Sequence, residues 1–144
     1  MLKKTIKYED FNGNEITEDF YFNLTEAELL EMESKDGSMQ AKLQRIINTR
    51  DISAIMEIFK EIIIASYGVK SDDGKRFIKD PETAKYLTQS NAYSELYVSL
   101  LSNVDEAIAF ITGILPAKIS KQIDQKQLDE IKNGNIPGIT TEAK

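Results

Sequence analysis

The feature that most constrains the fold is the stretch Asp51–Ile78, which opens on the most apolar helix pattern in the chain. Ile52, Ile55, Met56, Phe59, Ile62 and Ile63 recur at the three-and-four spacing of one helix face. Ile58, Ile64 and Tyr67 widen that stripe until little polar surface is left near its C-terminal end. A helix apolar on most sides has to be covered by other elements. The pattern predicts a central core helix that Gly68 ends by taking the left-handed conformation. A polar turn, Ser71-Asp72-Asp73-Gly74, and a short strand around Arg76-Phe77-Ile78-Lys79 follow.

The covering elements can be read on both sides. Residues 2–9 and 15–23 form a predicted hairpin around Asp10-Phe11-Asn12-Gly13-Asn14. A two-residue Asn-Gly turn would set Tyr8 opposite Thr17 and Ile6 opposite Asp19, mixing apolar with polar on each face. A three-residue loop, Phe11-Asn12-Gly13, with Gly13 left-handed, gathers Leu2, Ile6, Tyr8, Ile16, Phe20 and Phe22 on one face. Lys3, Thr5, Lys7, Thr17, Asp19 and Tyr21 then share the other. A one-residue slip flips every side chain, so the second register is expected.

Thr25 and Glu28 form a capping box for a helix to about Glu33, which Asp36-Gly37 breaks. A second helix, about Ser38 to Asn48, offers Met39, Leu43, Ile46 and Ile47 as its buried face, and Asp51 caps the central helix. Asp80-Pro81 starts another helix contacting the core through Ala84 and Leu87. Ser90 or Asn91 starts the next, striped by Tyr93, Leu96, Tyr97, Leu100 and Leu101. Asn103 and Glu106 cap a last one bearing Val104, Ala107, Ile108, Ile111 and Leu115, with Phe110 and Ile114 beside that face, and Pro116 ends it. These elements predict an α+β fold: a mostly helical bundle with an N-terminal β-hairpin. Residues 1–116 form one domain. Residues 117–144, with few large apolar residues, read as a loosely attached helix over about 120–132 and a mobile end.

Composition narrows the chemistry. The 144 residues suit one domain, large enough to bury about 70% of its unfolded surface without a metal or disulfide staple. With no cysteine there is no disulfide or thiolate chemistry, which suits a reducing compartment. With no histidine, the usual base near neutral pH and the commonest metal ligand are missing. The net charge of −6 disfavours unaided binding to nucleic acid. The N-terminus lacks the apolar core of a secretion signal, and the apolar run Ala107–Ala117 is too short for a bilayer, which takes about 20 residues. A soluble intracellular protein, with neither nucleic acid nor membrane as partner, is expected.

Motif tests find no ligand site. Gly68 to Arg76 looks like a phosphate loop, but its glycines are one residue too far apart, Arg76 stands where Ser or Thr must hold magnesium, and Asp72 and Asp73 would repel phosphate. Read as a calcium loop with Gly74 sixth, Val69 falls where Asp is required. A polar turn accounts for the stretch. The carboxylate pairs (Glu15/Glu18/Asp19, Asp72/Asp73, Asp105/Glu106) lie in turns, caps and a polar strand face rather than across a cleft. No Ser stands in a GxSxG elbow. No catalytic, cofactor-binding or metal-ligating residue is assigned.

Association is the better-supported expectation. An isolated hairpin is marginal, and its edges offer backbone groups that another chain can extend. Helix 104–115 offers a second apolar surface. Tyr93 reads as core, whereas Phe110, off the main stripe, is open between core and partner anchor. The candidate interface residues are Thr5, Lys7, Asp19 and Tyr21 on the hairpin, and Phe110 with Ile114.

The segments DFNGNEITEDFYFNLTEAELLEME, ASYGVKSDDGKRFIKD, AYSEL and AFITGILP, in this order, resemble the small tail assembly chaperones of long-tailed phages and prophages of Gram-positive bacteria. The resemblance covers about residues 1–116. It implies a non-enzymatic protein of the host cytoplasm that binds the long, aggregation-prone tape measure protein and keeps it soluble. The tail tube protein is a further partner it implies. It also implies self-association into rings or spirals, departure before the virion is complete, and two forms, one lengthened by a frameshift and a short one to which this chain would correspond. It marks no individual binding residues. Two other readings stand beside it: a structural tail or connector component, and a small carboxylate-based hydrolase.

Overall fold

The computed structural model describes residues 1–48 and 52–117. Strands β1 (Leu2–Glu9) and β2 (Glu15–Phe22) form the N-terminal hairpin. Its register pairs Leu2 with Phe22, Lys4 with Phe20 and Tyr8 with Ile16, the even-to-even pairing that the hydrophobic pattern demands. Gly13 has φ +86° and donates its N–H to Asp10 O at 3.1 Å, while Asp10 N–H donates to Asn14 O at 2.8 Å. The Asp10 carboxylate accepts from the N–H groups of Asn14 and Asn12. The Asn14 bond is the main reason its pKa lies below the ordinary value.

Helix α1 (Glu26–Asp36) starts on the expected capping box and stops at Gly37, φ +89°. Helices α2 (Met39–Asn48) and α3 (Ile52–Ser66) follow. The predicted buried face of α2 involves Met39, Leu43, Ile46 and Ile47, whose side chains lie outside the described residues, as does Asp51 as a cap.

The end of α3 departs from the sequence reading. Tyr67 leaves the helix and opens strand β3 (Tyr67–Lys70), and Gly68 does not take the left-handed conformation. It is required for another reason: a Cβ there would sit 2.7 Å from the Phe77 ring and 3.0 Å from Ile78 O. Strand β4 (Phe77–Ile78) confirms the short strand expected there. Strand β3 pairs antiparallel with both neighbours, Tyr21 with Gly68 and Val69 with Ile78, giving a four-stranded sheet in the order β1-β2-β3-β4. The hairpin is therefore not isolated.

Helix α4 (Pro81–Thr88) begins on Asp80, whose carboxylate accepts from Thr83 N–H at 2.8 Å. Helices α5 (Asn91–Ser102) and α6 (Val104–Ile114) complete the described chain. Ile6, Phe20 and Phe22 of the sheet meet Ile55, Phe59, Ile62, Leu96, Leu100 and Ile111 in one core. Ile52 and Met56, assigned to the buried face of α3, are exposed, because the core covers the side carrying Ile55, Ile58, Phe59 and Ile62. The fold is α+β, helices on one face of an N-terminal sheet. The helix expected over 120–132 and the mobile end lie outside the described residues.

One lysine ties the sheet to the helices. Lys79 Nζ donates to Asn23 O at 2.6 Å, to Ala65 O at 3.0 Å, and to both Glu28 oxygens at 2.9 and 2.8 Å. Burial alone would raise the Glu28 carboxyl. The bonds from Lys79 and from Thr25 N–H outweigh it and hold Glu28 below the usual range.

Candidate functional site

The sheet separates the six interface candidates. Thr5, Lys7, Asp19 and Tyr21 stand together on its outer face, away from the helices. Thr5 and Asp19 are directly opposite, and the Thr5 hydroxyl donates to Asp19 Oδ1 at 2.6 Å. Lys7 lies 3.6 Å from Glu15, and Lys70 Nζ sits 4.3 Å above the Tyr21 ring. Apart from half-buried Tyr21, the four are exposed.

Phe110 and Ile114 are placed oppositely. They are 1% and 0% exposed. The Phe110 ring packs edge-on against Phe22, centroids 5.1 Å apart. The wide apolar sector of α6 is thus largely taken up by the core under the sheet, with Ile108 half-buried at its margin. Tyr93, expected in the core, is half-buried at its margin and stacks on Tyr97 at 5.5 Å.

The edges follow from the register. Because the 10/14 pair is hydrogen-bonded, alternation turns the backbone groups of Lys3, Thr5, Lys7 and Glu9 to the outer edge of β1, and those of Glu15, Thr17 and Asp19 to the far edge of β2. Glu9 O accepts from Asn91 Nδ2 at 2.8 Å, as this requires. Among the described residues no strand lies beyond β1, and β3 pairs with β2 only at Tyr21 and Phe22. The first edge carries Lys3 and Lys7 with Glu9, and the second carries Glu15 and Asp19.

A surface that the sequence reading missed runs along α3. Ala54, Ile58, Ile64 and Ala65, with Glu57 and Glu61, line an open groove of about 1030 Å³ that α2 borders through Arg45 and Asn48. The pattern suggested a helix wrapped on nearly all sides. The charged residues Glu57, Lys60 and Glu61, at helical spacing within it, mark the side left open.

The loops and carboxylates are engaged locally. In the 71–76 turn, Ser71 N–H bonds Arg76 O, Gly74 N–H bonds Ser71 O, Lys75 N–H bonds Asp73 and Arg76 N–H bonds the Ser71 hydroxyl, so these donors face inward rather than toward a phosphate. Glu18 accepts from the Tyr8 hydroxyl at 2.6 Å, a bond that pushes the phenol up to about 12. Glu106 accepts from Lys4 at 2.6 Å. Among the described residues no group of three or more acidic side chains is placed to hold a metal ion, and no helix is long and apolar enough to cross a membrane.

These features describe a helical domain roofed by a sheet whose outer face is polar and whose edges differ in charge. Comparison with known families makes this specific, since a family profile described as phage tail assembly chaperone matches residues 1–143. The chain belongs to that family, which is non-enzymatic in general. The match extends beyond the 1–116 over which the resemblance was read. No curated protein and no solved structure matches the chain.

Proposed function

We propose that this chain binds the tape measure protein of its phage and keeps it soluble in the host cytoplasm until the tail tube closes around it, without catalysis and without entering the mature virion. The observation that carries the reading is the family match along almost the whole chain. The outer sheet face supports it, because Thr5, Lys7, Asp19 and Tyr21 present hydroxyl, charged and aromatic groups on a rigid platform. The opposite charges of the two sheet edges favour head-to-tail self-association, and a repeated contact of that kind builds rings or spirals. The tail tube protein is a further partner in this scheme. Residues 1–116 act as the chaperone domain, with 117–144 appended to it.

Co-expression tests the reading. The tape measure protein is expected in the soluble fraction only when this chain is present. Equal solubility with and without it would overturn the proposal, as would a stoichiometric band of this chain in purified virions.

A further inference from the structure

The two open edges of the β1–β2 hairpin carry backbone groups that the fold does not use. Among the described residues no hydrogen bond reaches the outward N–H or C=O groups of Lys3, Thr5 and Lys7 on β1, or of Glu15, Thr17 and Asp19 on β2. The β1 edge is closed at its end, where Glu9 O takes Asn91 Nδ2. Strand β3 leaves β2 after the Tyr21–Gly68 pair and continues against β4, and a cleft of about 250 Å³ lined by Asp19 and Lys70 lies where the strands part. Unpaired edges of this kind are templates for another strand.

We propose that β1 of one copy pairs antiparallel with β2 of the next, Lys3 opposite Asp19 and Lys7 opposite Glu15, so that the sheet runs on from chain to chain. This rests on the self-association in the proposed function and gives it a contact. Hydrogen-bonded pairs must join outward groups to outward groups, here odd positions to odd. The register of Lys3 with Asp19 forms such pairs at Lys3–Asp19, Thr5–Thr17 and Lys7–Glu15, and sets Lys4–Glu18 and Ile6–Ile16 between them. Opposite charges meet at both ends and beside one end, with Thr on Thr and Ile on Ile in the middle, the kinds of pair that stabilise neighbouring strands. Slipping the register loses this: one way sets Lys4 against Ile16, and the other sets Ile6 against Glu18 and Glu9 against Glu15. Pairing β1 with β1 about Thr5 opposes Lys3 and Lys7, and pairing β2 with β2 about Thr17 opposes Glu15 and Asp19. Like charges directly opposite are destabilising, so both two-fold dimers are disfavoured and the repeating head-to-tail contact is left.

The local partners of these charges leave them available. Lys7 lies 3.6 Å from its own Glu15, but both are exposed, and such a pair is worth little in water. Lys4, Glu18 and Asp19 bond Glu106, Tyr8 and Thr5 respectively, and an ammonium or a carboxylate can make several bonds. Glu9 falls beyond the next copy's Glu15, and Lys70, beside the acidic edge, is turned onto the Tyr21 ring.

Velocity sedimentation of the full chain at low salt tests this. The unaltered chain is expected to form assemblies larger than a dimer. The Lys3→Glu, Lys7→Glu chain and the Glu15→Lys, Asp19→Lys chain should each sediment as monomers. An equal mixture of the two should regain the large species, because each supplies the edge that the other lacks. Thr17→Pro removes one outward N–H while leaving the β1–β2 ladder whole, and should also shift the chain to monomer. Assemblies that persist in both charge-reversed chains, a folded mixture that stays monomeric, or assembly undiminished by Thr17→Pro would overturn the strand pairing. An unaltered chain that stays monomeric would overturn it together with the self-association reading, and leave tape measure binding to the co-expression test.

Discussion

The two faces of the β1–β2 hairpin are built from alternate residues of the same strands and meet opposite fates. Ile6, Phe20 and Phe22 point into the core, and Phe22 is sealed between Phe110 and Tyr67. Thr5, Asp19 and Tyr21, each one position away, hold a polar surface made of cross-strand pairs. A single register decision therefore fixes both the stability of the domain and the surface it can offer. The comparison also removes Phe110 and Ile114 from the candidate surface, because both are buried with the inner face.

The largest effect should come from the inner face. Phe22→Ala and Phe110→Ala are each expected to cost about 3–5 kcal/mol in urea unfolding, the usual range for emptying a buried aromatic site. A Phe110→Ala chain of unchanged stability but impaired binding would break the comparison by returning that residue to the surface. Next comes the joint between sheet and helices. Lys79→Met removes the donors to Asn23 O, Ala65 O and Glu28 and should cost about 2–3 kcal/mol. A loss below about 1 kcal/mol, the scale of an exposed pair, would mean that solvent already serves those groups.

Acid should act through the same joint. The folded-state pKa of Glu28 is depressed, so its contribution is present above the ordinary carboxylate value of about 4.3 and is lost as pH falls through the folded value. Asp10, Asp73 and Asp80 shift in the same direction, held down chiefly by Asn14 N–H, the Ser71 hydroxyl and Thr83 respectively. Stability should decline below about pH 4.5, and Lys79→Met should flatten that decline. An equally steep decline in the variant would remove Glu28 from the account. The smallest effect on stability belongs to the outer face. Thr5→Ala should cost no more than about 0.5–1 kcal/mol, the scale of one cross-strand pair. If the edges of opposite charge mediate self-association, sedimentation should show it weakening in about 1 M salt, where charges more than a few ångströms apart are screened.

Much of this was legible from local pattern. The hairpin register follows from alternation plus the left-handed Gly13, and the caps at Thr25, Asp80 and Asn103 follow from short-range hydrogen bonding, which a sequence displays directly. What escaped depends on contacts far apart in sequence. Gly68 looks like a helix stop, but it is chosen by the ring of Phe77 across β3–β4. The pairing of β3 with β2 joins Tyr21 to Gly68, and nothing local announces it. Periodicity showed that α6 is apolar on a wide sector but not that Phe22 would cover Phe110. It showed that α3 is apolar nearly all round but not that the side around Ile64 would stay open. Of the candidate surface, the outer hairpin face was legible because period two assigns it. The groove was not, because its borders come from α2.

The most direct test of the division between the faces is a paired measurement on the Asp19→Lys, Tyr21→Ser chain, reading urea midpoint and tape measure solubility together. The account predicts a midpoint close to that of the unaltered chain and a tape measure protein that returns to the insoluble fraction. A folded variant that still keeps the tape measure protein fully soluble would contradict the assignment of the outer face.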